Sequence, residues 1–87
     1  MSVSLIIPCR DEEKDIEFTV DQILNNIKVL NYEIILINDF SSDNTKKILN
    51  QISLKSEKIK VYENSSKGLG GAINKGIDEI TKDYACI

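Results

Sequence analysis

The sequence contains no histidine and no tryptophan, a single proline and two cysteines. Without histidine, and with Cys9 and Cys86 separated by nearly the whole chain, no Cys/His zinc site can be assembled. Both cysteines read instead as small buried hydrophobes. No apolar run approaches the roughly 20 residues a membrane span needs. Residues 1–7 run straight into a strand pattern, without the charged start and small-residue cleavage site of a signal peptide. The expected location is therefore cytoplasmic. An excess of basic residues is also missing: 11 Lys and Arg stand against 14 Asp and Glu, a net charge of -3. That balance gives no electrostatic footprint for nucleic acid. Lys55, Lys58 and Lys60 are clustered and read as a solvated face.

What is present is an ordinary globular composition, 41% hydrophobic and 29% charged. The length suffices for one domain, residues 1–87. At that size folding buries only about 60% of the surface of the unfolded chain, so the core has little to spare. Short apolar runs alternate with helical periods. Residues 3–7 form an apolar run closed by Pro8 and read as a buried strand. From residue 12 to about 30, Ile16, Val20, Ile23, Leu24 and Ile27 recur at helical spacing, with Phe18 off that face. Residues 33–37 are almost wholly apolar, as befits a strand covered on both faces. A polar loop over 38–44 follows, in which Ser41 or Ser42 would accept hydrogen bonds from the free amides of the next helix. That helix carries Ile48, Leu49 and Ile52 on one face. Residues 59–62 alternate apolar and polar and suit an edge strand. Leu69, Ala72, Ile73, Gly76, Ile77 and Ile80 then trace a helical stripe, in which Gly76 would let the helix approach the sheet closely. Residues 84–87 begin a fourth strand.

The order βαβαβαβ implies a Rossmann-like, three-layer α/β fold with a parallel sheet and right-handed crossovers. With the first strand central, the strand order is 3-2-1-4. Ligands in such sheets sit beyond the carboxyl ends of the strands, where the order reverses. That points to the loops over 8–12 and 38–45.

Three loops offer chemistry. Asp39 ends the second strand, where a carboxylate facing a crevice can accept hydrogen bonds from a base N–H or a ribose hydroxyl. A turn or cap role fits Asp39 as well, and fits Asp43 and Thr45 better. Pro8, Cys9, Arg10, Asp11, Glu12 and Glu13 follow the first strand, and acids there also suit the positive end of the next helix. The third loop, Ser65 to Gly71, is glycine-rich before a helix, a start that can hold phosphate through free amides. It is neither a P-loop nor a dinucleotide fingerprint, since Ile73 stands where Gly or Ala belongs. Tight turning and close approach are the plainer use of these glycines.

Taken in order, the three loops resemble those of family 2 glycosyltransferases with the A-type nucleotide-sugar fold. The first strand runs into Pro8-Cys9-Arg10-Asp11-Glu12, the second into Asn38-Asp39-Phe40-Ser41-Ser42-Asp43-Asn44-Thr45. Lys67-Gly68-Leu69-Gly70-Gly71-Ala72 looks like the branch that includes polyprenyl- and dolichyl-phosphate sugar transferases. The resemblance implies that Pro8, Arg10 and Glu12 line a base and ribose pocket, that Asp39 hydrogen-bonds the nucleobase, and that Lys67 approaches the base or diphosphate. It implies that Asp43 and Thr45 shape the loop. Two positions depart from the family pattern: Asn38 replaces the first of paired aspartates, and Phe40 replaces a usually small residue. The family's Asp-x-Asp motif, which would hold Mg or Mn, would follow Ile87 and is absent from these residues, as is the acceptor half.

The resemblance therefore implies the nucleotide-sugar-binding part of an enzyme that moves sugar from a UDP- or GDP-sugar to an acceptor. The chain itself is expected to be a truncated domain without catalytic or metal residues, inactive alone, weakly nucleotide-binding and self-associating. The competing reading is a stand-alone, non-catalytic α/β binding or assembly protein. A phosphoacceptor signalling domain would need an acceptor aspartate after strand 3, where Tyr62-Glu63-Asn64 stands instead.

Overall fold

The apolar run Ile34–Ile37 forms the middle of the longest central pairing of the sheet, and all four of its side chains are fully buried. The structure, a computed structural model, describes residues 2–28, 31–65, 68–82 and 84–86. Its elements are β1 (Ser2–Cys9), α1 (Ile16–Asn26), β2 (Asn31–Asn38), α2 (Thr45–Ser53), β3 (Ile59–Glu63), α3 (Leu69–Asp78) and β4 (Tyr84–Cys86). The four strands pair in parallel in the order β3-β2-β1-β4. Leu5 pairs with Ile34 and Ile7 with Leu36, which fixes the register of the two central strands.

Because successive strand residues face opposite ways, β2 feeds two cores. Ile34 and Leu36 pack with Cys9, Ile16, Val20, Leu49, Ile52 and Ile59 beneath α1 and α2. Ile35 and Ile37 pack with Ile6 and Ala72 beneath α3. This is the expected three-layer arrangement.

Several boundaries differ from the sequence expectation. β1 continues through Pro8 to Cys9, with Pro8 opposite Ile37. The Cys9 carbonyl accepts from the Asp39 amide on the β2 side. Neighbouring residues direct their polar backbone groups to opposite edges, so the N–H that Pro8 lacks would have faced β4. The described pairing with β4 runs only from Val3 to Leu5, so no ladder bond is lost there. α1 starts at Ile16 rather than residue 12, because Glu12–Asp15 form a turn in which the Glu12 carbonyl accepts from the Asp15 and Ile16 amides. It ends at Asn26, with Ile27 extended; Leu30, the expected end, lies outside the described residues, as does Ile87 of the fourth strand. Phe18, off the apolar face, is exposed. Cys9 is buried as expected, but Cys86, on β4, is exposed. Lys55 and Lys58 are exposed yet engaged: Lys55 bridges Glu17 and Asp21 of α1 at 3.1 Å each, and Lys58 lies 4.2 Å from the centre of the Tyr32 ring.

At the amino ends of the strands, Glu33 is buried beside its register partner Ser4. Its Oε2 accepts from Ser4 Oγ at 2.5 Å and from the Thr81 amide at 2.8 Å. Burial pushes the carboxyl up, but these hydrogen bonds and the nearby Lys82 outweigh it and hold Glu33 below its ordinary 4.5. A carboxyl depressed in the folded state contributes stability that is present above its unfolded value and lost as pH falls through the folded one. Stability should therefore drop as pH is lowered below about 4.5. In Glu33→Gln the acid limb should be shallower and stability at neutral pH lower, read by urea midpoints across pH 3–7; parallel pH curves for the two proteins would contradict this role.

Candidate functional site

The carboxyl ends of β1 and β2 lead into two loops that are knitted together. The Asp11 amide donates to Ser41 Oγ at 3.1 Å, and the Glu12 amide to Thr45 Oγ1 at 2.8 Å. The Glu13 amide donates to Asp43 Oδ2 at 3.3 Å. In return Asp11 Oδ1 accepts from the Ser42 amide at 2.6 Å and the Ser42 hydroxyl at 3.1 Å. Ser41 and Ser42 are thus spent on the neighbouring loop and do not cap α2. The N-cap residue, Asn44, makes no side-chain cap bond, and the amide and hydroxyl of Thr45, the first residue of α2, go to Asp43 Oδ1. These bonds hold the Asp43 carboxyl below its ordinary value, Thr45 contributing most. Asp43 and Thr45 shape the loop, as expected.

Two residues of these loops have left-handed backbone, Asp11 at φ 52° and Phe40 at φ 53°. Asp tolerates that region through local hydrogen bonds, whereas Phe gains nothing comparable there, and Phe40 is 49% exposed. Asn38, the other departure from the family pattern, is buried and stands in register with Glu63. Its Nδ2 donates to Glu63 Oε1 at 2.9 Å. An aspartate there would set two carboxylates against each other, so the amide suits its strand partner.

Between the loops lies a cleft of about 280 Å³ lined by Pro8, Cys9, Arg10, Glu12, Asp39 and Leu69. Four of the five residues singled out in the sequence are thereby brought to one place. The fifth, Lys67, lies outside the described residues. Leu69 and Cys9 were not foreseen as lining; Leu69 arrives because α3 begins at the same end of the sheet. Partial burial, with Asp15 adding, raises the Glu12 carboxyl above its ordinary value. Burial, and secondarily the Glu12 carboxylate, pushes the Cys9 thiol up to about 12. A thiol that high is no nucleophile at neutral pH, so Cys9 is wall rather than reagent.

Asp39 is only 4% exposed. Its Oδ1 accepts from Asn64 Nδ2 at 2.9 Å and from the Gly68 amide at 3.0 Å. Gly68 has φ 113° and ψ 162°, a conformation open essentially to glycine alone. That backbone turns its N–H onto Asp39 while its carbonyl accepts from the Ala72 amide. A carboxylate therefore already occupies the positive start of α3, and the glycine-rich loop serves closure onto Asp39 at this position. Gly76, further along, brings α3 against Ile6, as its place in the stripe suggested.

The described residues do not fit the divalent cation that the resemblance assigns to an Asp-x-Asp motif outside this sequence. Among the described residues no three His, Cys, Asp or Glu side chains come together to hold a metal ion. The Asp11 and Asp43 carboxylates are taken up with N–H and O–H donors instead.

A parallel sheet of order 3-2-1-4 with a cleft at the carboxyl ends of its central strands defines a Rossmann-like α/β domain. The sequence profile of Glycosyl transferase family 2 matches residues 4–87, and the chain belongs to that family. The resemblance carried by the three loops is thus borne out. Poly-beta-1,6-N-acetyl-D-glucosamine synthase of Staphylococcus aureus strain COL is 35% identical over 85 residues, 94% of this chain and 20% of the relative. Dolichol-phosphate mannosyltransferase of Pyrococcus furiosus is 34% identical over 83 residues, 95% of this chain and 24% of the relative. Among solved structures, the mannosyltransferase PcManGT from Pyrobaculum calidifontis, in complex with GDP-Man and Mn2+, matches with a TM-score of 0.80 at 20% identity, over 93% of this chain and 25% of its own. At that identity the likeness is one of fold. The chain spans about a fifth to a quarter of the length of these proteins.

Proposed function

We propose that this chain is the nucleotide-binding part of a glycosyltransferase that takes its sugar from a UDP- or GDP-sugar. The observation that carries the reading is the convergence of Pro8, Arg10, Glu12 and Asp39 on one cleft at the carboxyl ends of β1 and β2. A nucleobase presents N–H donors, and Asp39 is an acceptor set in a largely dry wall, where a charge-assisted hydrogen bond is strong. Arg10 and Glu12 at the rim suit a ribose and the start of a diphosphate. On this reading the chain supplies the donor's nucleotide site and is expected to transfer no sugar alone; the Asp11 and Asp43 carboxylates serve as hydrogen-bond acceptors for backbone and hydroxyl groups. A free, exposed Cys86 suits the reducing cytoplasm.

Titration of the ¹⁵N-labelled chain with UDP and with GDP should shift amides of residues 9–12, 39–45 and 68–70, with Kd on the order of 1 mM. Shifts confined to the amino ends of the strands, around Glu33 and Thr81, would overturn the reading.

The reading includes self-association. Ala85 and Cys86 lie exposed on the edge strand β4, and Leu69 and Ile77 of α3 are exposed apolar side chains. An open edge is a template for another chain. Light scattering at micromolar concentration should give a mass above that of one chain; a strictly monomeric folded species would contradict it.

A further inference from the structure

Asn64 was assigned no role by the sequence, yet it is 5% exposed and tied to the cleft from behind. It follows the last residue of β3, and its own amide donates to the Asn38 carbonyl at 2.9 Å, which fixes its backbone beside the end of β2. Its side-chain Nδ2 donates to Asp39 Oδ1 at 2.9 Å and reaches the Gly68 carbonyl at 3.3 Å. Both partners are acceptors, so only the NH₂ end of the amide fits there; a flipped amide would set oxygen against two oxygens. The Gly68 amide closes the group by donating to the same Asp39 oxygen at 3.0 Å. Asp39, Asn64 and Gly68 thus form a closed triangle in which each member touches the other two.

We infer that Asn64 is a positioning residue for nucleobase recognition, holding the Asp39 carboxylate in its orientation toward the cleft and coupling it to the start of α3. The inference rests on the reading of the cleft as a nucleotide site. Two donors on Oδ1 lock the carboxylate's rotation, which matters because a base N–H must meet an oxygen within a narrow range of distance and angle. Serine or alanine at position 64 would remove one of the donors that orient the carboxylate and leave the Gly68 carbonyl without its side-chain donor. The triangle also carries binding outward: a base that draws on Asp39 pulls on Gly68, and through it on the first turn of α3.

The test compares UDP with N3-methyl-UDP, and GDP with N1-methyl-GDP, by NMR titration of the parent chain and of Asn64→Ala. N3-methyluracil lacks the N–H from which Asp39 would accept, and N1-methylguanine lacks the ring N–H and keeps only the exocyclic N2–H₂ on that edge. In the parent, methylation should weaken binding of the preferred nucleotide about tenfold, the scale of a charged hydrogen bond. In Asn64→Ala the unmethylated nucleotide should weaken by a similar factor, while the methylated one binds as it does to the parent. A residue that merely holds the fold would weaken both alike, and that result overturns the inference. If Asn64→Ala does not fold, the side-chain NH₂ resonances of Asn64 in the parent decide instead. They should move with UDP or GDP and stay put with the methylated analogue; equal movement, or none, overturns the inference. A parent that binds nucleotide but is indifferent to methylation removes the role of Asn64 and leaves the nucleotide site standing. A parent that binds no nucleotide removes both.

Discussion

Replacing Gly76 with alanine should destabilise the chain by about 1–3 kcal/mol, the range for an overpacked core, although the same change in an exposed helix would stabilise by about 1 kcal/mol. The reason is contact. A Cβ built on Gly76 falls 2.3 Å from Ile6 Cγ2 and 3.3 Å from both Cγ1 and Cδ1. Ile6 has nowhere to retreat: it is 1% exposed on the central strand, and its β-branched side chain is stiff at χ1. Relief requires α3 to lift from the sheet, which would loosen Ala72 from Ile35 and Ile37. Gly70, in the first turn of the same helix, is the control, since a Cβ there meets nothing within 4 Å. Gly70→Ala should raise stability by up to about 1 kcal/mol. For a domain of this size each kcal/mol moves Tm by roughly 4–8 °C, so thermal melts should separate the two variants clearly in opposite directions. A Gly76→Ala protein that melts at or above the parent would show that α3 does not rest on Ile6.

How far the sequence foretold this architecture depended on which physical signal a residue carries. Strand identity and order were legible because the run 34–37 is apolar on both faces while 59–62 alternates, and burial follows those patterns. Gly76 was legible because a glycine within an apolar stripe has one obvious use. Helix starts were less so. Residues 12–15 are polar and helix-compatible, and nothing local says that the Glu12 carbonyl closes a turn before Ile16. The cap of α2 was misplaced for a related reason. Ser41 and Ser42 are good caps in isolation, but the loop after β1 claims them across about thirty residues of chain, a partner that no local pattern reveals. The cleft was legible as a place, since the carboxyl ends of central parallel strands are where ligands sit. The triangle of Asp39, Asn64 and Gly68 was not. Its members come from the loops after β2 and β3, and each has a sufficient local explanation: a turn acid, a strand-end amide and a loop glycine.

That triangle gives Asp39 two duties, which different substitutions should separate. Asp39→Ala removes the acceptor of Asn64 Nδ2 and of the Gly68 amide at a site only 4% exposed. A buried donor without a partner costs about 1–3 kcal/mol, so the loss of stability should be at least about 2 kcal/mol. For a marginal domain that is a large share of the whole, and absent nucleotide binding in this variant would prove nothing by itself. Asp39→Asn is the sharper change. The amide oxygen can still accept from Asn64 and Gly68, because those two donors select the oxygen over the NH₂ group. The triangle and the melting temperature should therefore be largely kept, with a loss within about 1 kcal/mol, since one charge-assisted acceptor becomes a neutral one. Toward the cleft, however, the variant presents an N–H where the parent presents carboxylate. A base N–H then meets another donor, and UDP or GDP should bind at least tenfold more weakly, the scale of a lost charged hydrogen bond. Melting curves and nucleotide titrations on the parent, Asp39→Asn and Asp39→Ala check this together. If Asp39→Asn keeps both its stability and its nucleotide affinity, Asp39 is a structural residue at the start of α3 and the base is read elsewhere.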